Sequence, residues 1–239
     1  MILLLSDLHL PNEPSPLREG FLRFLAGPAR AAREVYLLGD LFEYWVGDDV
    51  GLQQYAAEVA ALRKLGDSGV RVFFIAGNRD FLLGSTFFKT SGVSPLPDPS
   101  VIMLGSVPTL ISHGDLYCTD DRAYQRWRRF SRSALWQRAF ALLPRRRRIA
   151  IAGGLRRQSH DAKHDKPAAI MDVNPAAVAA AFGVHAVTRL IHGHTHRPMR
   201  HTLQIAGREL ERIVLPDWHG TRMEYLQIGD DNSCEIRAL

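Results

Sequence analysis

The 239-residue chain has only two cysteines, Cys118 and Cys234, in no metal-ligand spacing. A thiolate metal site of the zinc-finger kind is therefore excluded, and two reduced thiols in a cytoplasmic protein are expected. No apolar run approaches the roughly 18–20 residues of a membrane span. The chain opens on a strand-like apolar segment with no basic region before it, so no secretory signal is expected. Internal repeats and low-complexity linkers are also lacking. Acidic residues are scarce in one stretch: residues 119–166 carry 14 Arg or Lys against four Asp, while the remainder carries 16 basic and 21 acidic residues. A mildly acidic body thus bears one strongly basic segment. That asymmetry points to an anionic partner met on one face: phosphate, anionic lipid or nucleic acid. With 46% apolar residues, the chain can bury a core as one domain, or as one domain plus an insertion.

What is present is a set of short apolar strands, each ending in polar residues. Residues 2–5 form an unbroken apolar run that suits a strand buried on both faces. It leads into Ser6-Asp7-Leu8-His9. In an extended segment residues two apart project to one side. The spacing therefore predicts Asp7 and His9 facing one point at the carboxyl edge of a sheet, where α/β sites form. A helix over 17–25, a strand over 34–38 ending in Gly39-Asp40, a helix over 52–65 and a strand over 70–75 ending in Gly77-Asn78-Arg79-Asp80 follow. This alternation predicts a parallel sheet. A hairpin around Gly105 (101–104 and 108–111) delivers Ser112-His113-Gly114-Asp115. A helix over 174–182, with Asn174 as N-cap and Pro175 at its first position, precedes a strand over 186–191. That strand opens onto His192-Gly193-His194-Thr195-His196-Arg197-Pro198. Antiparallel strands are expected over 213–215, 223–228 and 234–236.

The basic segment reads as helical. Tyr124, Trp127, Phe130, Trp136, Phe140 and Leu143 recur at helical spacing, with Arg122, Arg126 and Arg129 offset from them. One helix over 121–143 is expected, broken by Pro144 and Arg145 to Arg148, with a further helix over 149–157. Residues 119–166 thus read as a helical insertion in a core formed by 1–118 and 167–239. Its aromatics are compatible with packing the cap onto the body and with lining an apolar groove.

Five strand ends carry oxygen and nitrogen donors: Asp7 and His9; Asp40; Asn78; His113; and His194 with His196. These donor types suit Mn²⁺, Fe or Zn. Seven protein ligands exceed one octahedral ion but match two ions sharing a carboxylate. Such a pair clamps both the attacking and the leaving oxygen of a displacement at phosphorus. His192 is out of phase with His194 and His196 and reads as a core histidine.

The ordered motifs D-x-H, G-D, G-N-x-[DE], H-G and G-H-T-H resemble those of the calcineurin-like metallophosphoesterases, over residues 2–220. The resemblance implies an α/β fold, a two-sheet αββα sandwich carrying a helical cap insertion. It also implies a dinuclear centre: Asp7, His9, Asp40 and His196 on one ion, and Asp40, Asn78, His113 and His194 on the other. Many relatives have His where this chain has Arg79. A guanidinium stays charged and cannot act as a general acid at neutral pH. The phosphate leaving group of a pyrophosphate departs as a stable anion, which Arg79 can bind and neutralise. The sequence therefore leans toward phosphoanhydride cleavage.

Longer matches narrow the resemblance. Ser6-Asp7-Leu8-His9-Leu10, Leu38-Gly39-Asp40-Leu41-Phe42-Glu43, Gly77-Asn78-Arg79-Asp80-Phe81-Leu82-Leu83-Gly84, Cys118-Thr119-Asp120-Asp121 and Ile170-Met171-Asp172-Val173-Asn174 are similar to the branch of that family that cleaves the pyrophosphate of UDP-2,3-diacylglucosamine in lipid A biosynthesis. This resemblance implies two Mn²⁺ ions per chain and water attack on the α-phosphorus, giving UMP and 2,3-diacylglucosamine 1-phosphate (lipid X). It implies catalytic roles for Asp40, Asn78, Arg79 and His194. Substrate contacts carry over to Asn78, Arg79, Asp121, Ser159, Lys163, Lys166 and His194, although the family position at Lys163 can be Asn. A monomer is expected at the cytoplasmic face of the bacterial inner membrane, with the basic cap and Arg145 to Arg148 facing its anionic surface. No nucleic-acid partner is expected.

Overall fold

The computed structural model describes residues 1–165 and 172–239, with side chains described outside 158–165. Strand β1 (Ile2–Leu5) is buried at every position, as its unbroken apolar run requires. Helix α1 (Pro16–Ala26) follows, and strand β2 (Glu34–Leu37) then pairs parallel with β1, Leu3 opposite Val35. Helices α2 (Asp48–Gln54) and α3 (Ala56–Asp67) lead to parallel strand β3 (Arg71–Ile75). Helix α4 (Ser85–Ser91) and edge strand β4 (Ser94–Leu96) come next. Strands β5 (Ser100–Leu104) and β6 (Val107–Ser112) form the hairpin around Gly105. Helices α5 (Arg122–Ser131), α6 (Ala134–Ala141) and α7 (Arg145–Asp165) interrupt the sheets. Helix α8 (Pro175–His185) and strands β7 (Arg189–His192), β8 (Met199–Ile205), β9 (Arg208–Val214), β10 (Glu224–Ile228) and β11 (Cys234–Ala238) complete the chain.

Two mixed sheets result, ordered β11-β10-β1-β2-β3-β4 and β5-β6-β7-β9-β8. Alternate side chains of the buried strands divide between the layers. Ile2, Leu4 and Ile75 of the first sheet meet Ile111, Ile191 and Ile213 of the second. Phe21 and Phe24 of α1, Leu62 of α3 and Phe87 of α4 cover the first sheet's outer face. Val178 and Phe182 of α8 cover the second sheet. The layers run helix, sheet, sheet, helix, the αββα sandwich expected. The carboxyl ends of β1, β2, β3, β6 and β7 converge at one edge.

Three sequence expectations are corrected. Residues 52–65 fall in two helices, because the chain turns at Tyr55 (φ −116°, ψ 33°). There the buried ring packs on Phe42 and Trp45, and its hydroxyl donates to the Leu10 carbonyl at 3.0 Å. The single helix over 121–143 is also two. Ser133 adopts extended backbone and its hydroxyl accepts from Trp136 N at 3.4 Å, capping a new helix. Just before it, Arg132 turns inward to the Asp115 carboxylate and the Gly77 carbonyl. Helix α7 starts at Arg145 rather than 149, and Arg148 does not belong to a surface patch. It is 4% exposed, donates to the Leu143 carbonyl and grips Asp49 of α2 at 2.6 and 2.9 Å. A buried guanidinium needs a counter-charge, and α2 supplies it.

Candidate metal centre

The loops beyond the strand ends continue the ladder. Asp7 N donates to the Gly39 carbonyl (3.1 Å) and His9 N to the Asp40 carbonyl (2.9 Å). Asp7 and His9 do face one point, but the expected extended geometry is wrong. Their φ angles are +57° and +47°. Asp40, His194 and His196 lie in the same left-handed region, at +53°, +69° and +53°. Among the described residues, five of the eight non-glycine positions with positive φ are these candidate ligands. Each is held against its backbone preference by about 1–3 kcal/mol, so the strain collects where donors must converge. Glycine permits the closest approaches. A Cβ on Gly193 would stand 1.9 Å from Ser6 Oγ and 2.3 Å from Asp7 Oδ2, and one on Gly77 would stand 2.2 Å from Asp40 Oδ1.

The donor atoms form two adjoining groups. Asp7 Oδ2 accepts from His194 N at 2.7 Å. Its other oxygen, Oδ1, is buried with no hydrogen-bond partner among the described residues, 3.4 Å from His196 Nε2 and 3.9 Å from His9 Nε2. His9 Nδ1 is likewise buried and unpartnered. In the second group the Leu38 carbonyl lies 2.9 Å from His113 Nδ1 and fixes the proton there. His113 Nε2 then points at Asn78 Oδ1 (3.0 Å) and His194 Nδ1 (3.2 Å). Three acceptor-type atoms this close repel one another unless a proton or cation sits between them. Asp40 stands between the groups, Oδ1 3.8 Å from His113 Nε2 and Oδ2 3.9 Å from His9 Nδ1. Ligand atoms of Asp7, His9 and His196, and again of Asp7, Asp40 and His113, lie within 4.8 Å of one another. Orphaned buried oxygen and nitrogen atoms of this kind fit a pair of divalent cations.

Electrostatics favour cations here. Burial opposes ionisation of Asp7, yet His196, His113 and His9 hold its carboxyl far below the usual range. Burial pulls His113 down, but Asp40, Asp7 and Asp115 outweigh it and raise it to about 9. His196 is raised against burial to about 10 by Asp217 and Asp7. Burial, with the neighbouring His113, drives His194 down to about 4. His192 is fully buried with Nδ1 2.9 Å from the Gly193 carbonyl, and burial lowers it to about 4, as suits a neutral core histidine.

Two carboxylates escaped the sequence analysis. Asp217 Oδ2 lies 3.4 Å from His196 Nδ1, where a carboxylate fixes the tautomer of an imidazole ligand. Glu43 Oε1 accepts from Arg79 Nη1 at 2.8 Å. Glu43 stands at the end of the Leu38 to Glu43 stretch that carries the resemblance, with no role attached to it there, and Asp217 is marked only by its place before Trp218.

A cavity of about 750 Å³ runs from His9, Asp40, Asn78 and His194 to Trp127 and Trp136 of the helices above. Arg79 and Asp121 also line it. Arg79 N donates to Asp40 Oδ1 at 2.9 Å, and the Asp121 carboxylate accepts from Tyr124 N at 3.0 Å as the N-cap of α5. Phe140 is buried against Val46 and Val50, so it packs the cap helices onto the body, and Trp136 stacks on it at 4.9 Å. Trp127 and Phe130 stay 37% and 54% exposed. Ser159, Lys163 and Lys166 lie outside the residues whose side chains are described.

Residues 1–198 match the calcineurin-like phosphoesterase family. Proteins named UDP-2,3-diacylglucosamine hydrolase are similar along most of their length. The one from Aromatoleum aromaticum is 46% identical over 217 residues, 91% of this chain and 89% of that one. The one from Chromohalobacter salexigens is 43% identical over 237 residues, 99% and 96% of the two chains. The one from Edwardsiella ictaluri is 47% identical over 218 residues, 91% and 84%. At this identity and coverage the chain belongs to the calcineurin-like phosphoesterases, in the same family as these hydrolases.

Proposed function

We propose that the chain hydrolyses the pyrophosphate of UDP-2,3-diacylglucosamine by water attack on the α-phosphorus, giving UMP and 2,3-diacylglucosamine 1-phosphate in lipid A biosynthesis. One observation carries this reading: a single cavity joins the carboxylate–imidazole cluster to a recess lined by Trp127, Trp136 and Leu155. The polar end suits a pyrophosphate. The apolar end suits acyl chains, each buried CH₂ contributing about 0.8 kcal/mol.

In this proposal Asp7, His9, Asp40 and His196 would hold one Mn²⁺, and Asp40, Asn78, His113 and His194 would hold the other. Two such ions would lower the pKa of an attacking water and neutralise charge on phosphoryl oxygens. Asn78 and His194 orient the α-phosphate, His194 as a neutral imidazole in keeping with its lowered pKa of about 4. Arg79 takes the charge of the leaving sugar phosphate, which needs no proton. Asp121, Ser159, Lys163 and Lys166 are assigned to the rest of the substrate. The helices of 119–166 act as the cap. A monomer bound peripherally to the cytoplasmic face of the inner membrane is part of the same proposal. The exposure of Leu135 and Leu142 and of Arg146 and Arg147 on the cap helices supports the membrane part of this reading, each arginine contributing about 1 kcal/mol at an anionic surface. No helix among the described residues is long and apolar enough to cross a membrane.

Cation loading is expected to expel protons. Without cations His113 and His196 are protonated at neutral pH, because their pKa values of about 9 and about 10 lie above it. Binding therefore tightens as pH rises and releases about two protons per chain near neutrality. Titration calorimetry in buffers of different ionisation enthalpy measures this, and a heat independent of buffer would contradict it.

The activity itself is tested with UDP-2,3-diacylglucosamine in detergent micelles. Release of UMP that is abolished by a chelator and restored by Mn²⁺ is expected. Equal cleavage of a water-soluble dinucleoside polyphosphate would contradict the role given to the apolar recess.

A further inference from the structure

We propose that Glu43 is a positioning residue that aims Arg79 at the leaving phosphate, an inference that rests on the role given to Arg79 above. Glu43 sits on the loop beyond β2, three residues after Asp40. Its own N–H donates to the Leu10 carbonyl (2.9 Å), and Trp45 N donates to the Arg79 carbonyl (2.9 Å). The backbone on both sides of Glu43 is thereby tied to the loops carrying His9 and Arg79. The side chain is 11% exposed, and its Oε1 accepts from Arg79 Nη1 at 2.8 Å and forms an ion pair with Arg156 Nε at 2.7 Å. Arg79 comes from the metal-centre loop and Arg156 from α7, so one carboxylate joins the centre to the helices above it. All three side chains line the cavity.

The physical consequence follows from what Arg79 lacks. Among the described residues its guanidinium has no hydrogen-bond partner other than Glu43. Held by Nη1 alone, it keeps its remaining N–H groups for phosphate oxygens. A free arginine side chain would lose rotamer entropy on each binding event. The Glu43 bond removes that freedom before substrate arrives, which is how pre-organised charge lowers a barrier. One carboxylate between two guanidinium groups also leaves the trio net positive, so an anionic substrate is still attracted. Without the carboxylate, Arg79 and Arg156 repel, and Arg79 has nothing to hold it over the reacting group.

The test begins with wild-type enzyme, UDP-2,3-diacylglucosamine and Mn²⁺; no turnover there rejects the proposed function rather than this inference. Given turnover, Glu43→Gln is expected to lower kcat about 10- to 100-fold, with KM and bound metal per chain unchanged. The double variant Glu43→Gln/Arg79→Ala is expected to be no slower than Arg79→Ala, since Glu43 acts through Arg79. Added guanidinium ion is expected to restore part of the activity of Arg79→Ala, but not of the double variant, which lacks the carboxylate that seats it. Wild-type kcat in Glu43→Gln, losses that multiply in the double variant, loss of metal, or equal rescue of both variants would each overturn the proposal. Should Glu43→Gln not fold, Glu43→Asp serves. Guanidinium rescue of Arg79→Ala that weakens in the Glu43→Asp background supports the assignment, and undiminished rescue overturns it.

Discussion

Asp40→Ala is expected to lower turnover by about 10³-fold or more and to strip bound metal from the protein. The carboxylate is 2% exposed and lies between the two donor groups, 3.8 Å from His113 Nε2 and 3.9 Å from His9 Nδ1. Losing one preorganised transition-state donor already costs about 10²–10³ in rate. In the role proposed for Asp40, a ligand shared between two cations would take part at both positions, so its loss would exceed that of a single donor. The same oxygen that faces His113 accepts from Arg79 N at 2.9 Å, so the substitution also frees the loop carrying Asn78 and Arg79. Metal analysis of the purified variant, with steady-state turnover on the UDP-sugar lipid, checks both effects. Wild-type metal content with near-normal turnover would contradict the shared role of Asp40.

The second large effect is on stability. Asp115→Ala is expected to destabilise the fold by about 3–5 kcal/mol. Asp115 is fully buried, and its Oδ2 accepts from Arg128 Nε (2.8 Å), Arg132 Nη2 (2.9 Å) and Tyr124 Oη (2.7 Å). Both arginines are mostly buried, at 17% and 20% side-chain exposure. Removing the carboxylate leaves Arg128 and Arg132 sharing one longer-range counter-charge, Asp98 Oδ2 at 3.3 and 3.8 Å, and takes the acceptor from the Tyr124 hydroxyl where water reaches poorly. It also unties α5 from the loop after β6, which carries His113. For a chain of this size the loss corresponds to roughly 6–20 °C in melting temperature. The sign of the pH dependence follows from the same network. Burial raises the Asp115 carboxyl, but Arg132, His113 and Arg128 outweigh it and hold it well below the ordinary 3.8. A carboxyl depressed on folding contributes stability above its unfolded pKa and loses it as pH falls through the folded one. The melting gap between wild type and Asp115→Ala should therefore be full at neutral pH and shrink on acidification below about pH 4. Thermal unfolding across that range measures it, and a gap under about 1 kcal/mol at neutral pH would contradict the network's role.

The order of donors was legible because each follows a buried strand whose apolar residues announce it. Asp7, Asp40, Asn78, His113, His194 and His196 are all brought to one edge. The backbone that brings them there was not legible. The two-residue spacing of Asp7 and His9 predicts an extended pair, whereas both residues are left-handed. The loop beyond β1 is bonded to the loop beyond β2, and no local pattern encodes a partner so distant in sequence. The same holds for the break between α5 and α6. Aromatic spacing runs straight through Arg132, and only the inward pull of Asp115 and the Ser133 cap explains why the helix stops. Four consecutive arginines looked like surface, yet Arg148 is buried because Asp49 waits on α2. Glu43 and Asp217 are single acids whose meaning depends entirely on the arginine or histidine they meet after folding.

The central claim is that water is delivered to the α-phosphorus of the UDP moiety by this donor cluster. Hydrolysis of UDP-2,3-diacylglucosamine in ¹⁸O-water with Mn²⁺, followed by mass spectrometry of both products, tests it most directly. The account predicts one heavy oxygen in UMP and none in 2,3-diacylglucosamine 1-phosphate. Heavy oxygen only in the sugar phosphate would place the attack on the other phosphorus and contradict it.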